Sequence, residues 1–199
     1  LESDPDFERF MPRPDVRERF EITVRAPAVL VMAEARDFDL QSLRLVHAIF
    51  RLREWLMGAS PAAPRASRRL FEEMRSLGWG VLVDEPDRLL ICGAACQPWL
   101  ADVRFRAIAP ERFADYAEPD QVKIAWTLEA IPLGPQRTRF AQETRVVATD
   151  DAARAKFRRY WRWSRFGIIG IRLLLLPALR RAAERRWAAQ CARTTQDGP

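Results

Sequence analysis

The sequence predicts an α+β fold in which an antiparallel sheet carries one long helix across a face. Residues 121–131 and 138–148 read as two strands joined by a Pro132-Leu133-Gly134-Pro135 turn. A helix-forming run from Asp150 to about Leu176 follows them directly. A third alternating segment, with Phe20, Ile22 and Val24 on one side and Arg19, Glu21 and Thr23 on the other, stands far upstream. Strands followed by one amphipathic helix bury both apolar faces when the helix lies on the sheet. The chain has 199 residues, 48% hydrophobic and 30% charged, which suits one domain with its own core.

The elements follow in order. Residues 1–15 hold Pro5, Pro12 and Pro14 among charges and read as an extended or disordered lead-in. The first strand begins at Val16, and Pro27 suits the first turn of a short helix carrying Val29, Leu30, Met32 and Ala33. Gln41 to Met57 forms a second helix, with Leu45, Val46, Ile49, Phe50, Leu52 and Leu56 on one side. Arg44, His47, Arg51 and Glu54 fall opposite. Arg53 projects into the middle of the apolar side, where it either anchors a carboxylate or phosphate or packs its stem and snorkels.

Gly58–Ala66 is a Pro, Ala and Ser linker, and Ser67 caps a short helix through Leu77. Trp79–Glu85 and Arg88–Ala94 form a hairpin about Pro86-Asp87. Val103–Ala107 extends the sheet, and Pro110–Tyr116 is a helical turn. In the last strand Phe140, Gln142, Thr144 and Val146 share a face that mixes polar with apolar groups, as the wall of a partly polar cavity does. Arg139, Glu143 and Arg145 share the other, read as a charged outer face with cross-strand pairs. The closing helix carries Phe157, Trp161, Ser164, Ile168, Ile171 and Leu175 on one stripe. Pro177 is expected to kink or end it and leave residues 177–199 as a basic, partly helical tail.

Charge is unevenly placed. Residues 150–193 carry twelve Arg or Lys against three acidic residues, while the remainder of the chain is net negative by three. A basic pole implies either an anionic neighbour or a solvated helix face. Arg158, Arg159, Arg162 and Arg165 are the candidates for contact with an anionic surface, and Trp163 or Trp187 for insertion at a membrane interface. Nucleic acid fits less well, because the aromatics between those arginines fall largely on the core stripe. No run approaches the roughly 20 apolar residues of a membrane span. The acidic start, with Glu2, Asp4, Asp6 and Glu8, lacks the apolar run of a secretory signal. The cytoplasm is the expectation.

Linear enzyme signatures are missing. The single histidine, His47, lies among water-facing charges, and Cys92, Cys96 and Cys191 do not have metal-ligand spacing. No glycine loop cradles a phosphate. Neither metal nor cofactor is expected. A pocket Arg, Tyr or Glu can act without a linear motif, and Arg53, Tyr116, Glu143 and Tyr160 are the candidates for such chemistry.

The order of these elements resembles the START-like or SRPBCC superfamily of helix-grip proteins, which includes polyketide cyclases. The resemblance spans 16–176: the opening strand into Ala26-Pro27 and a short helix, the Gly134 hairpin, and Glu143-Thr144-Arg145-Val146 leading into the helix at Asp150. It implies a sheet wrapped around the long helix with a hydrophobic tunnel between them. It further implies binding of a lipid, polyketide or similar molecule, or in a minority cyclase or dehydratase activity. Arg53, Trp126, Gln142, Thr144, Trp161, Ser164 and Ile168 are then the expected lining. The inserted region 58–77 is a candidate lid.

Overall fold

The computed structural model describes residues 4–38 and 70–196. The expected α+β architecture is the one observed. Among the described residues lies a six-stranded antiparallel sheet: β1 (Val16–Val24), β2 (Gly80–Glu85), β3 (Leu89–Cys96), β4 (Arg106–Ala107), β5 (Val122–Gly134) and β6 (Arg137–Ala148). The order is β1-β6-β5-β3-β2, with β4 paired to β3. The helices are α1 (Pro5–Phe10), α2 (Ala28–Asp37), α3 (Leu70–Ser76), α4 (Pro110–Phe113) and α5 (Asp151–Gln196). The expected helix over 41–57, with Arg53 and His47, lies outside the described residues.

Both faces of the sheet are covered, which explains why β3 is buried at every position. On one face Leu90, Cys92, Trp126, Leu128 and Phe140 pack with Leu30, Val31 and Met32 of α2 and Leu176, Leu179 and Ala183 of α5. On the other, Leu89, Ile91, Ala95 and Ala125 pack with Phe7, Phe10, Met11 and Phe113. A third cluster joins Val122, Val146 and Ala148 to Ala153, Phe157 and Tyr160 near the start of α5. That start is capped by Asp150, whose carboxylate accepts from the Ala153 and Asp120 amides at 2.7 and 2.6 Å. Those two backbone bonds hold the Asp150 carboxyl below the usual carboxylate range.

Three expectations are corrected. The lead-in over 1–15 is not extended throughout, because Pro5–Phe10 are helical, capped by Asp4 accepting from the Asp6 amide at 2.9 Å. Phe7, Phe10 and Met11 are buried, and each such side chain contributes about 1.5–3 kcal/mol. Pro177 does not end α5, which continues to Gln196. Pro177 cannot donate to the Leu173 carbonyl, but Leu173 is exposed, so water can take that place on the outer side. Leu179 and Ala183 beyond it are buried against the core, so this part of the expected tail packs on the fold. Finally, the face carrying Glu143 and Arg145 is not solvated: these side chains are 0% and 1% exposed beneath α1.

That covered charge is organised as a network. Glu143 accepts from Arg145 at 2.7 Å and Arg19 at 3.1 Å and pairs with Arg17 at 2.9 Å. Arg19 also donates to Glu21 and Glu129. Arg145 donates to the Met11 carbonyl at 2.7 Å and to Glu8, and sits 4.6 Å from the Phe7 ring. α1 is therefore held by both apolar burial and a buried guanidinium.

The end of α3 supplies a test of local geometry. The Trp79 amide donates to the Met74 carbonyl and the Gly78 amide to that of Arg75, both at 3.1 Å, which is a Schellman closure. Gly78 has φ +96°, and a Cβ there would lie 2.2 Å from the Phe105 carbonyl oxygen. Gly78→Ala is expected to cost more than about 1 kcal/mol, combining a left-handed backbone with a backbone clash. Urea unfolding checks this, and an unchanged midpoint would contradict it.

Candidate functional site

The site is built on the sheet face that α5 covers. Antiparallel register sets Glu18 opposite Thr144, Thr144 opposite Trp126, and Trp126 opposite Cys92. Phe20 stands opposite Gln142 in the adjoining row. Period-2 alternation sends this whole set toward the helix. The same alternation sends Glu143 and Arg145 to the opposite face.

Into this row α5 inserts Arg172. Its guanidinium donates to Gln142 Oε1 at 2.5 Å, Thr144 Oγ1 at 2.6 Å and Glu18 Oε2 at 3.1 Å. It also lies 5.4 Å from the Phe20 ring. Gln142 Nε2 donates to Thr144 Oγ1 at 3.1 Å, so that oxygen accepts twice and its own O–H is left as a donor. Arg172 is 9% exposed, as are Gln142 and Thr144. Burial lowers the Arg172 pKa despite Glu18. Burial likewise raises the Glu18 carboxyl despite Arg172 and Arg165. Both directions mean that desolvation outweighs the attraction between the two charges.

One more buried polar atom belongs to this side of α5. Ser164 is 7% exposed, and its Oγ has no hydrogen-bond partner among the described residues. Ser164 and Ile168 precede Arg172 by two turns and one turn, about 12 and 6 Å along the axis. Ile168 is half-buried.

The structure thus brings Gln142, Thr144 and Trp126 together across neighbouring strands, and sets Ser164 and Ile168 on the helix above the sheet. Trp126 packs edge-on to Trp79 at 6.2 Å within the core. Trp161 lies apart, its ring tilted against Phe157 at 5.6 Å beside the third cluster. Arg53 is outside the described residues; the arginine that the structure places on this face is Arg172, which the sequence pattern alone did not single out. Its signal was available: Arg172 follows Ile168 by four residues and precedes Leu175 by three, on the apolar stripe.

Among the described residues the candidate reactive side chains Tyr116, Glu143 and Tyr160 do not converge. Glu143 lies on the far face of the sheet. Tyr116 accepts from Arg106 and donates to Gln121 at 2.9 Å beside the second cluster. Tyr160 is buried in the third cluster. Burial pushes the Cys92 thiol up to about 12, the range of an unreactive core cysteine. Among the described residues no group of His, Cys, Asp and Glu could hold a metal ion, and no helix is long and apolar enough to cross a membrane.

Comparison with solved structures finds distant likenesses. The Zhui aromatase/cyclase of a Streptomyces species is 14% identical at TM-score 0.30, covering 86% of this chain and 94% of its own. CalU16 from Micromonospora echinospora is 12% identical at TM-score 0.30, covering 87% and 86%. A protein from Deinococcus radiodurans is 14% identical at TM-score 0.31, covering 76% and 99%. No protein-family model matches the sequence, and no curated protein matches it. At these identities and TM-scores the likenesses place none of the side chains of this site.

Proposed function

We propose that the protein binds a hydrophobic small molecule between the sheet and α5, with Arg172 holding the polar end of the ligand. The observation that carries this reading is the buried guanidinium itself. An arginine drawn out of water on a largely apolar face, with two neutral acceptors and one carboxylate as partners, is a costly arrangement for packing alone. It is well suited to a carboxylate, phosphate or carbonyl oxygen, which the guanidinium fork binds with charge-assisted hydrogen bonds.

The surrounding groups fit the same chemistry. Phe20, Trp126 and Ile168 offer apolar contact, Thr144 offers a donor beside Arg172, and the unpartnered Ser164 hydroxyl offers a second polar position along the helix. Few polar groups on an apolar wall fix a ligand's orientation while burial supplies most of the affinity. A fatty-acid-like or polyketide-like molecule, apolar with one oxygen-rich end, matches this set.

Ile168→Trp tests the location. The larger ring is expected to take the ligand's place beside α5 and weaken uptake of a fluorescent fatty acid at least about tenfold, while the half-buried position tolerates the change in the folded state. Fluorescence titration reads the affinity and a thermal melt confirms folding. Unchanged uptake by a folded variant, or absence of saturable uptake by the parent protein, would overturn the proposal.

A further inference from the structure

The outward side of α5 carries a second feature that interior ligand binding does not use. At 100° per residue, Arg159, Arg162, Trp163, Phe166, Ile169, Leu173, Arg180 and Arg181 fall on one strip. Within it Trp163, Phe166 and Leu173 are 42%, 63% and 62% exposed. A helix ordinarily turns such side chains inward, and here the inward side is already occupied by Phe157, Ser164, Arg172 and Leu176. The ridge therefore stands proud of the fold as a contiguous apolar patch.

Both ends of the ridge are basic. Arg158, Arg159, Arg162, Arg180 and Arg181 are exposed and have no ion-pair partner among the described residues. From Arg162 to Arg180 the helix rises about 27 Å. At its first end the strip borders an open pocket of about 390 Å³ lined by Trp99, Lys156, Arg159, Tyr160 and Trp163. Lys156 is paired with Asp120 at 2.6 Å, which leaves Arg159 among aromatic walls as the cation open to an anionic head group whose upper chain lies against rings.

We infer that the outer face of α5 is a docking surface for an anionic phospholipid bilayer, lying flat with Trp163, Phe166 and Leu173 in the interface. Charge complementarity selects this occupant: arginines at both ends of an apolar ridge match lipid phosphates around a hydrocarbon layer. A second copy of the chain would bring like charges together at those ends, and nucleic acid would leave Phe166 and Leu173 in water.

Vesicle co-sedimentation of the full chain tests the inference. The protein is expected to sediment with vesicles containing phosphatidylglycerol at roughly a third of the lipid and not with pure phosphatidylcholine. Raising NaCl from about 0.05 to about 0.5 M should release it. Phe166→Asp with Leu173→Asp, and separately Arg159→Glu with Arg162→Glu, should each weaken binding more than about tenfold. These side chains are exposed, so thermal melts should match the parent. Brominated acyl chains should quench fluorescence in the parent more than in Trp163→Phe. Arg172→Met should bind vesicles like the parent, which separates this surface from the interior site. Equal binding to neutral vesicles, no binding to anionic ones, or full binding by the Asp pair would overturn the inference. So would a dimer by light scattering that the Asp pair dissociates.

Discussion

Glu143→Ala is expected to lose about 3–5 kcal/mol of stability, the range for breaking a buried ion pair by removing one partner. Glu143 is 0% exposed and is shared by Arg17, Arg19 and Arg145. Its removal leaves the 1% exposed Arg145 with Glu8, the Met11 carbonyl and the Phe7 ring. Arg19 keeps Glu21 and Glu129, so the heaviest penalty falls on Arg145 and on the helix it ties down. Urea unfolding should show the loss, and limited proteolysis should cut near residues 4–15 sooner than in the parent. A cooperative transition within about 1 kcal/mol of the parent would contradict it, since surface charge changes stay in that range.

The same network has a pH signature. The hydrogen bond from Arg145 holds the Glu8 carboxyl below the usual range. Its contribution is present above the ordinary glutamate pKa of about 4.3 and is lost as pH falls through the depressed value. Burial raises Glu129 despite Arg19, so protonation there acts in the opposite sense and relieves a cost. Within this network the two carboxylates therefore act in opposite senses as pH falls.

Arg172→Met should lower affinity for a fluorescent fatty acid by about 10- to 100-fold, the worth of charge-assisted hydrogen bonds to the head group. The matching fatty alcohol should be affected less, because its hydroxyl carries no charge. That split separates an anchoring arginine from one that merely shapes the fold, which would affect both probes alike. Arg172→Lys should restore part of the acid's affinity, since lysine keeps the charge but loses the planar fork. Equal affinity of Arg172→Met and parent for the acid would remove the anchor from the account.

Much of this was legible in the sequence because strand alternation is a strict period. The β6 pattern placed Phe140, Gln142, Thr144 and Val146 on one face, and the structure finds Gln142 and Thr144 together on Arg172. Arg172 is absent from the α5 stripe because that stripe runs through apolar residues and Ser164 and passes over the arginines, as though a charge marked the outer side. The N-terminal helix was missed for a related reason. Three prolines among charges suggested an extended chain, yet Phe7, Phe10 and Met11 recur at helical spacing, and Pro5 follows the capping Asp4. Of the charged outer face with cross-strand pairs, the pairing holds in Glu143 with Arg17 and Arg19, while α1 covers the face. Pro177 shows a different limit: the lost hydrogen bond is real, but its cost depends on whether the orphaned carbonyl meets water, which spacing does not reveal.

Native mass spectrometry, with organic extraction of the same sample, tests the central claim most directly. The parent protein, offered a mixture of fatty acids and aromatic polyketides, should retain a stoichiometric adduct whose extracted molecule carries an acidic or carbonyl end. Arg172→Met should lose that adduct under the same conditions. A parent that stays at its bare mass throughout, or an adduct retained equally by Arg172→Met and Ile168→Trp, would contradict a ligand held between sheet and helix.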